Sequence, residues 1–275
     1  MDFVVFGHYN IYMLLDGKVG VGLLTCDRVD FFQQSIESIH ETHGDVIDTL
    51  VVVNDGKQSV SCDLATVLHN KKNQGVGKSK NRAIKHMMDQ GCDHLFLMED
   101  DVRFVSNDAL SKYVELSSVS GVKHLNFCLH GEDNKINGKP NPKLIVDYKH
   151  VKMSLYHNVY GALSYYHRDV IDDIGYMDKR YFNAMEHVDH TMVAIKNNYH
   201  PPFRWFADVY QSDLLLAEQD HGHEESKIRN TEGWEKRFLR GVELFYNKHN
   251  LNVCDPNEVQ ADKQQVLQFL KQVKP

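Results

Sequence analysis

Glu99-Asp100-Asp101 follows directly on the apolar run His94-Leu95-Phe96-Leu97-Met98. Three adjacent carboxylates repel one another unless a cation or open solvent relieves them. Hard divalent ions such as Mn2+ or Mg2+ take one or two protein carboxylates and complete their shell with other oxygens. The triplet therefore reads as a metal site, with Glu99 and Asp101 as its ligands; a solvated acidic turn is the alternative. A second constellation is Glu186-His187-Val188-Asp189-His190. On a helix Glu186 and Asp189 share one face and His187 and His190 the next, which offers carboxylates for acid–base work or imidazoles for zinc. His221-Gly222-His223 adds two more imidazoles. With 17 histidines and no H-E-x-x-H, chance pairs are expected, so zinc is the weaker reading. Gly75-Val76-Gly77-Lys78-Ser79 invites a phosphate-cradling loop, but the P-loop signature needs Gly at position 72 and Lys72 stands there.

The elements that must position these groups alternate. Val19 to Thr25 is nearly all apolar, as expected of a strand buried on both faces. A helix follows over Phe31 to Ile39, with Phe32, Ile36 and Ile39 at helical spacing and Asp27 or Asp30 as its cap. Thr49 to Asn54 reads as a second buried strand, Ala65 to His69 as a third, Lys78 to Met88 as a helix and His94 to Met98 as a fourth strand. Such βαβ alternation builds a mostly parallel sheet, and ligands bind at the carboxyl ends of its strands. Thr25 to Arg28, Asn54-Asp55 and Glu99 to Asp101 all fall at those ends. Beyond residue 120 the spacing predicts short strands at Leu125 to Leu129, Leu144 to Asp147 and Leu163 to Tyr166. A helix from Glu186 to Lys196 and closing helices over Trp234 to Asn250 and Val259 to Val273 follow.

Composition bounds the rest. The 275 residues are 42% hydrophobic and 25% charged, enough for a substantial packed core. A net charge of −7 removes any global attraction to nucleic acid. A local patch remains at Lys135, Lys139, Lys143, Lys149 and Lys152, with a solvated loop as the plainer reading. The five cysteines form no C-x-x-C pair and read as reduced core residues. No apolar run approaches the roughly 20 residues of a membrane span, and Met1-Asp2-Phe3-Val4-Val5-Phe6 lacks the basic start of a signal peptide. A cytoplasmic protein is expected.

In their order and spacing these motifs resemble the family 2 glycosyltransferases of GT-A fold, over roughly residues 19 to 230. The resemblance implies a Rossmann-like α/β fold, a mostly parallel sheet flanked by helices in a single domain with C-terminal helices. An N-terminal β extension occupies 1–18, a nucleotide-binding half 19–120, an acceptor-binding half 121–230, and the closing helices 231–275. It implies a metal-dependent transfer from a nucleotide-sugar donor, UDP first, to a glycan or other glycosylated acceptor such as a surface polysaccharide, with sugar-modified phage DNA a further candidate. Thr25 and Arg28 would form the first nucleotide turn, Asp55 would meet the uracil, and Asn73, Gly77, Lys78, Asn81 and Asp100 would lie along the nucleotide. Glu99 and Asp101 would hold Mn2+ or Mg2+, which neutralises the departing diphosphate, joined by His221 or His223. Glu186 or Asp189 would deprotonate the acceptor, although His187 stands where the family has a second acidic residue. Lys227 and Arg229 would belong to a donor-closing loop, and Trp205 and Phe206 would stack on an acceptor sugar, unless Trp205 is plain core. A nucleotidyltransferase on a similar sheet and a non-catalytic nucleotide-binding protein are the competing readings.

Overall fold

The computed structural model describes residues 16–219 and 230–275. The N-terminal extension expected over 1–18 falls almost wholly outside them, as do His221, His223, Lys227 and Arg229. The described chain runs β1 (Val19–Thr25), α1 (Val29–His43), β2 (Thr49–Asn54), β3 (Thr66–His69), α2 (Val76–Asp89), β4 (His94–Glu99), β5 (Val102–Phe104), α3 (Ala109–Ser120) and β6 (His124–Asn126). It continues through β7 (Lys135–Ile136), β8 (Lys139–Pro140), β9 (Leu144–Asp147), β10 (Lys152–Tyr156), β11 (Leu163–His167), α4 (Arg168–Ile174) and α5 (Glu186–Lys196). Last come β12 (Phe206–Val209), β13 (Leu216–Glu218), α6 (Trp234–His249) and α7 (Lys263–Val273).

The central sheet has the order β3-β2-β1-β4-β11-β6. Its first four strands are parallel, and β11 runs antiparallel between β4 and β6. Every residue of β1 is buried, because layers cover both faces of a parallel sheet and its strands need no polar side. Gly20 and Gly22 let α2 close on that sheet: a Cβ on Gly22 would lie 2.8 Å from the Ala83 methyl. The strands β12-β10-β9 form a separate antiparallel sheet, and β13 pairs with β5 just beyond the Glu99-Asp100-Asp101 turn.

Several boundaries differ from expectation for local reasons. Neither Asp27 nor Asp30 caps α1, whose N-cap is Arg28 with no side-chain cap bond. Asp27, in the left-handed region at φ +55, instead accepts from the Lys57 and Gln58 amides at 2.6 and 2.8 Å. The last helix begins at Lys263 and not at Val259, because Asp262 and Gln265 form a reciprocal capping box. Helix α3 was not anticipated, although Leu110, Tyr113, Val114 and Leu116 mark its buried face. Among the described residues no helix is long and apolar enough to cross a membrane.

Candidate active site

The carboxyl ends of β1, β2 and β4 open into a pocket of about 270 Å³ lined by Thr25, Cys26, Asp27, Arg28, Asp55, Asn73, Glu99, Asp100 and Asp101, with Val76, Ser79, Asn183 and Thr231 on its far walls. The register explains the convergence. Thr25 pairs with Asn54 across β1 and β2, and Leu24 with Glu99 across β1 and β4, so the three polar strand ends stop level with one another.

The three acidic residues after β4 have separate environments. Asp100 is fully buried; it accepts from the Thr25 hydroxyl at 2.7 Å and pairs with the Arg28 guanidinium. Burial pushes its carboxyl up to about 7, against the pull of Arg28. Asp100 thus knits β4 to β1 from inside the pocket wall. Asp101 is buried as well, its side chain 10% exposed, with Arg28 Nη1 3.5 Å from its Oδ2. Glu99 faces Lys80, whose ammonium lies 2.7 Å from Oε1. The backbone of this turn is itself clamped. The Gln219 side chain donates to the Asp100 carbonyl at 2.8 Å and the Ser35 hydroxyl reaches it at 3.1 Å, while the Gln219 amide donates to the Asp101 carbonyl.

Lys80 is the residue that sequence reasoning missed. Its side chain is 1% exposed, and its ammonium bridges Glu99 and Glu186, the latter at 3.5 Å, and donates to the Gly161 carbonyl at 2.9 Å. Its position was readable, since Lys80, Ile84 and Met87 fall on one face of α2 and all three are buried. Lys78, expected at the nucleotide, is exposed on the opposite side and does not line the pocket. Asn81 is likewise turned away. Its amide closes a two-way bond with Met177, donating to the carbonyl and accepting from the N–H at 2.8 Å each, so it ties α2 to the turn after α4. Gly77 is buried against Glu186 and Tyr181 and serves packing.

The Asn73-Gln74-Gly75 turn does reach the pocket. Asp55 holds it by accepting from the Gln74 and Gly75 amides at 2.7 and 2.9 Å and from Asn70 Nδ2 at 2.7 Å. Gly75, at φ +86, lets the Phe182 carbonyl come close; a Cβ there would meet that oxygen at 2.3 Å.

On α5 the two expected bases are both buried and both ion-paired. Glu186 lies against Lys80, with His187 Nδ1 3.2 Å from its Oε1. Burial opposes its ionisation, but Lys80 and then His187 hold it down at about 2. Asp189 points the other way: it accepts from Lys248 Nζ at 2.7 Å, His249 Nε2 at 2.8 Å and the Tyr181 hydroxyl at 3.1 Å. It locks α5 to α6, and neither it nor Glu186 lines the pocket. The zinc reading of His187 and His190 also fails, since His190 is buried between the Tyr166 hydroxyl and the Gly175 carbonyl while His187 faces Glu186.

Trp205 and Phe206 are not a sugar platform. Trp205 donates through Nε1 to the Ala261 carbonyl at 2.9 Å, and Phe206 packs edge-on against Phe203 with centroids 5.4 Å apart. Both are buried and offer no ring face to a ligand. The lysine loop is charge-balanced in part, with Lys135 paired to Glu132 and Glu218 and Lys152 to Asp147, which leaves no continuous strip for phosphates.

Among the described residues no three His, Cys, Asp or Glu side chains form a ready metal cage. A divalent ion bound with a diphosphate needs none, because one or two carboxylates suffice when phosphate oxygens and water complete the shell. Asp101, with Glu99 beside it, lines the pocket with hard oxygen donors of that kind.

This architecture matches solved glycosyltransferase structures. The chain superposes on the mannosyltransferase PcManGT from Pyrobaculum calidifontis, in complex with GDP-Man and Mn2+, with a TM-score of 0.53 and 14% identity, covering 94% of this chain and 69% of that one. It superposes on S. aureus TarS 1-349 in complex with UDP-GlcNAc with a TM-score of 0.58 and 16% identity over 93% and 71% of the two chains. GalNAc-T7 with UDP, GalNAc and Mn2+ gives a TM-score of 0.56 and 9% identity over 94% and 55%. At such identities the likeness establishes the fold, which is GT-A. No family model matches the sequence, and no curated protein matches it either.

Proposed function

We propose that this chain is a metal-dependent glycosyltransferase that moves a sugar from a nucleoside-diphosphate donor, UDP first, to a hydroxyl of a glycan or other sugar-bearing acceptor. The observation that carries this reading is the level convergence of Thr25, Asp55 and Glu99 to Asp101 on one pocket at the carboxyl edge of a GT-A sheet. Three neighbours of the same fold were solved with nucleotide sugars or UDP, two of them with Mn2+.

Asp101, with Glu99, would hold Mn2+ or Mg2+, which supplies Lewis-acid neutralisation of the leaving diphosphate. Arg28, held by Asp100 and Asp101 at the pocket wall, adds a fixed positive charge for the same phosphates. Asn73 and the turn held by Asp55 form the wall along the nucleoside. Asp100 acts through Thr25 and Arg28 and positions the others.

The test is release of UDP or GDP from a panel of nucleotide sugars with Mn2+ and with chelator. Turnover should need the metal. Asp101→Ala should lower kcat/KM by roughly 10²–10³-fold while the melting temperature stays near that of the parent, since the lost interaction acts on developing charge. Undiminished turnover in chelator would remove the metal role. Pyrophosphate released from a free nucleoside triphosphate would replace this reading with nucleotidyl transfer, and nucleotide binding without any turnover would replace it with a binding protein.

A further inference from the structure

We infer that strand β9 is a self-pairing edge through which two copies of this chain join as a two-fold symmetric dimer. None of its residues lines the pocket, and the pairing does not depend on the glycosyltransferase reading.

The backbone leaves the edge open. In the small sheet β12-β10-β9 the strand β9 is outermost, and no described strand pairs with its far side. Its ladder with β10 sets Asp147 against Lys152, Val146 against Met153 and Leu144 against Leu155. Just past its end the Tyr148 amide donates to the Val151 carbonyl at 3.0 Å, and on the other side of β10 the Tyr210 amide donates to the Lys152 carbonyl at 2.9 Å. Antiparallel ladders alternate bonded and non-bonded pairs. Leu144, Val146 and Tyr148 therefore direct their backbone groups to β10, and Ile145 and Asp147 turn theirs outward. An edge of that kind is a template for another strand.

The side chains select which strand. Leu144 and Val146 pack against the core, whereas Lys143, Ile145 and Asp147 are exposed, Ile145 at 45%. Read in the antiparallel sense, Lys143-Leu144-Ile145-Val146-Asp147 is its own complement. With the two-fold axis at Ile145, the two isoleucines exchange backbone bonds, Leu144 of one protomer meets Val146 of the other, and Lys143 of one meets Asp147 of the other at both ends. Opposite charges set across from one another stabilise strand pairing, and like charges oppose it. A slip of two residues would set Lys143 against Ile145 or against Lys149, so charge fixes the register as well as the partner. Asp147 already faces Lys152 at 3.2 Å, with both side chains about half exposed. A surface pair of this kind contributes little and is readily exchanged.

The ends of the segment limit the contact. Pro142 has no N–H, the Lys143 amide already donates to the Leu155 carbonyl at 2.8 Å, and Lys149 sits in the left-handed region at φ +72. Pairing stops after one short segment. An isologous contact closes on itself as a dimer, where a long flat edge would continue into aggregates. The lysine-rich stretch from Lys135 to Lys152 thereby gains a role as the flank of this edge.

Sedimentation velocity from low-micromolar to near-millimolar concentration should show a concentration-dependent dimer. Ile145→Lys sets two ammonium groups at the axis and should raise the dissociation constant more than about tenfold. Because the residue is exposed, the melting temperature of the dilute protein should stay near that of the parent. Lys143→Glu and Asp147→Lys, each alone, make both ends of their own homodimer like-charged and should each weaken self-association about tenfold. An equimolar mixture of those two variants restores opposite charges at both ends and should associate as tightly as the parent. A chain that is monomeric at every concentration, a dimer insensitive to Ile145→Lys, or a mixture no tighter than its separate components would each overturn the assignment.

Discussion

The carboxyl edge of the parallel sheet and the junction of α5 with α6 are both built on buried ion pairs, and they differ in whether a ligand can reach them. At the sheet edge Lys80 and Arg28 partner Glu99, Asp100 and Asp101, and three acidic groups still line a pocket. At the junction Lys248, His249 and Tyr181 surround Asp189, and nothing opens. The two regions share one helix: Glu186 belongs to the first and Asp189, three residues on, to the second. A carboxylate in a helix is thus functional or structural according to which cations its face meets, and residue type alone does not tell them apart.

The sharpest way to break this comparison is Lys80→Met. Removing the ammonium leaves Glu99 and Glu186 facing each other with the compensating charge gone, and stripping one partner from a buried pair costs about 3–5 kcal/mol. Urea denaturation should show that loss; a loss below about 1 kcal/mol would mean the bridge is not the keystone of the edge. Next in size is Asp189→Ala, expected to cost about 2–4 kcal/mol, because His249 is buried while Lys248 keeps some exposure and can rehydrate. The UDP and Mn2+ thermal shift should survive it. A lost shift would place Asp189 in the site after all.

The face of α5 that packs on β11 and the end of α4 is acid-sensitive. Burial lowers the His190 imidazole to about 4, whereas an unfolded histidine titrates near 6.5. Below 6.5 the unfolded chain binds a proton that the folded one refuses, so stability present above that pH is lost as the pH falls toward 4. Between pH 7 and pH 5 this amounts to about 2 kcal/mol for the one ring. His190→Gln keeps a donor for the Gly175 carbonyl and removes the titration, so the variant should fall less steeply than the parent by that amount in urea titrations at the two pH values. Equal slopes would show that the ring is hydrated or charged in the fold.

The first half of the chain was the more legible in sequence because its strands are buried on both faces and read as unbroken apolar runs ending in polar turns. The strands of the second half are two to five residues long, such as β7, β10 and β12, and their pattern is too brief to separate from loop. The pocket's acidic edge was visible, since carboxylates after an apolar strand need a reason. Lys80 was not, because a lysine in a helix reads as solvent-facing until its register with Ile84 and Met87 is weighed. Trp205 and Phe206 show the converse error: aromatics beside Pro201-Pro202 looked like a platform, and only burial decides between platform and core.

The smallest expected effect tests how finely the edge is tuned. Thr25 is the last residue of β1, and its hydroxyl donates to the buried Asp100 at 2.7 Å. Thr25→Val keeps the shape and deletes the donor, so the cost should be about 1 kcal/mol when the acceptor is neutral and roughly double when it is charged. Because burial raises Asp100 to about 7, the penalty should grow from pH 6 to pH 8.5 in urea midpoints, with Arg28 still holding the other oxygen. A penalty that shrinks over that interval would mean the hydroxyl serves some other partner and that β1 and β4 are joined at this end by Arg28 alone.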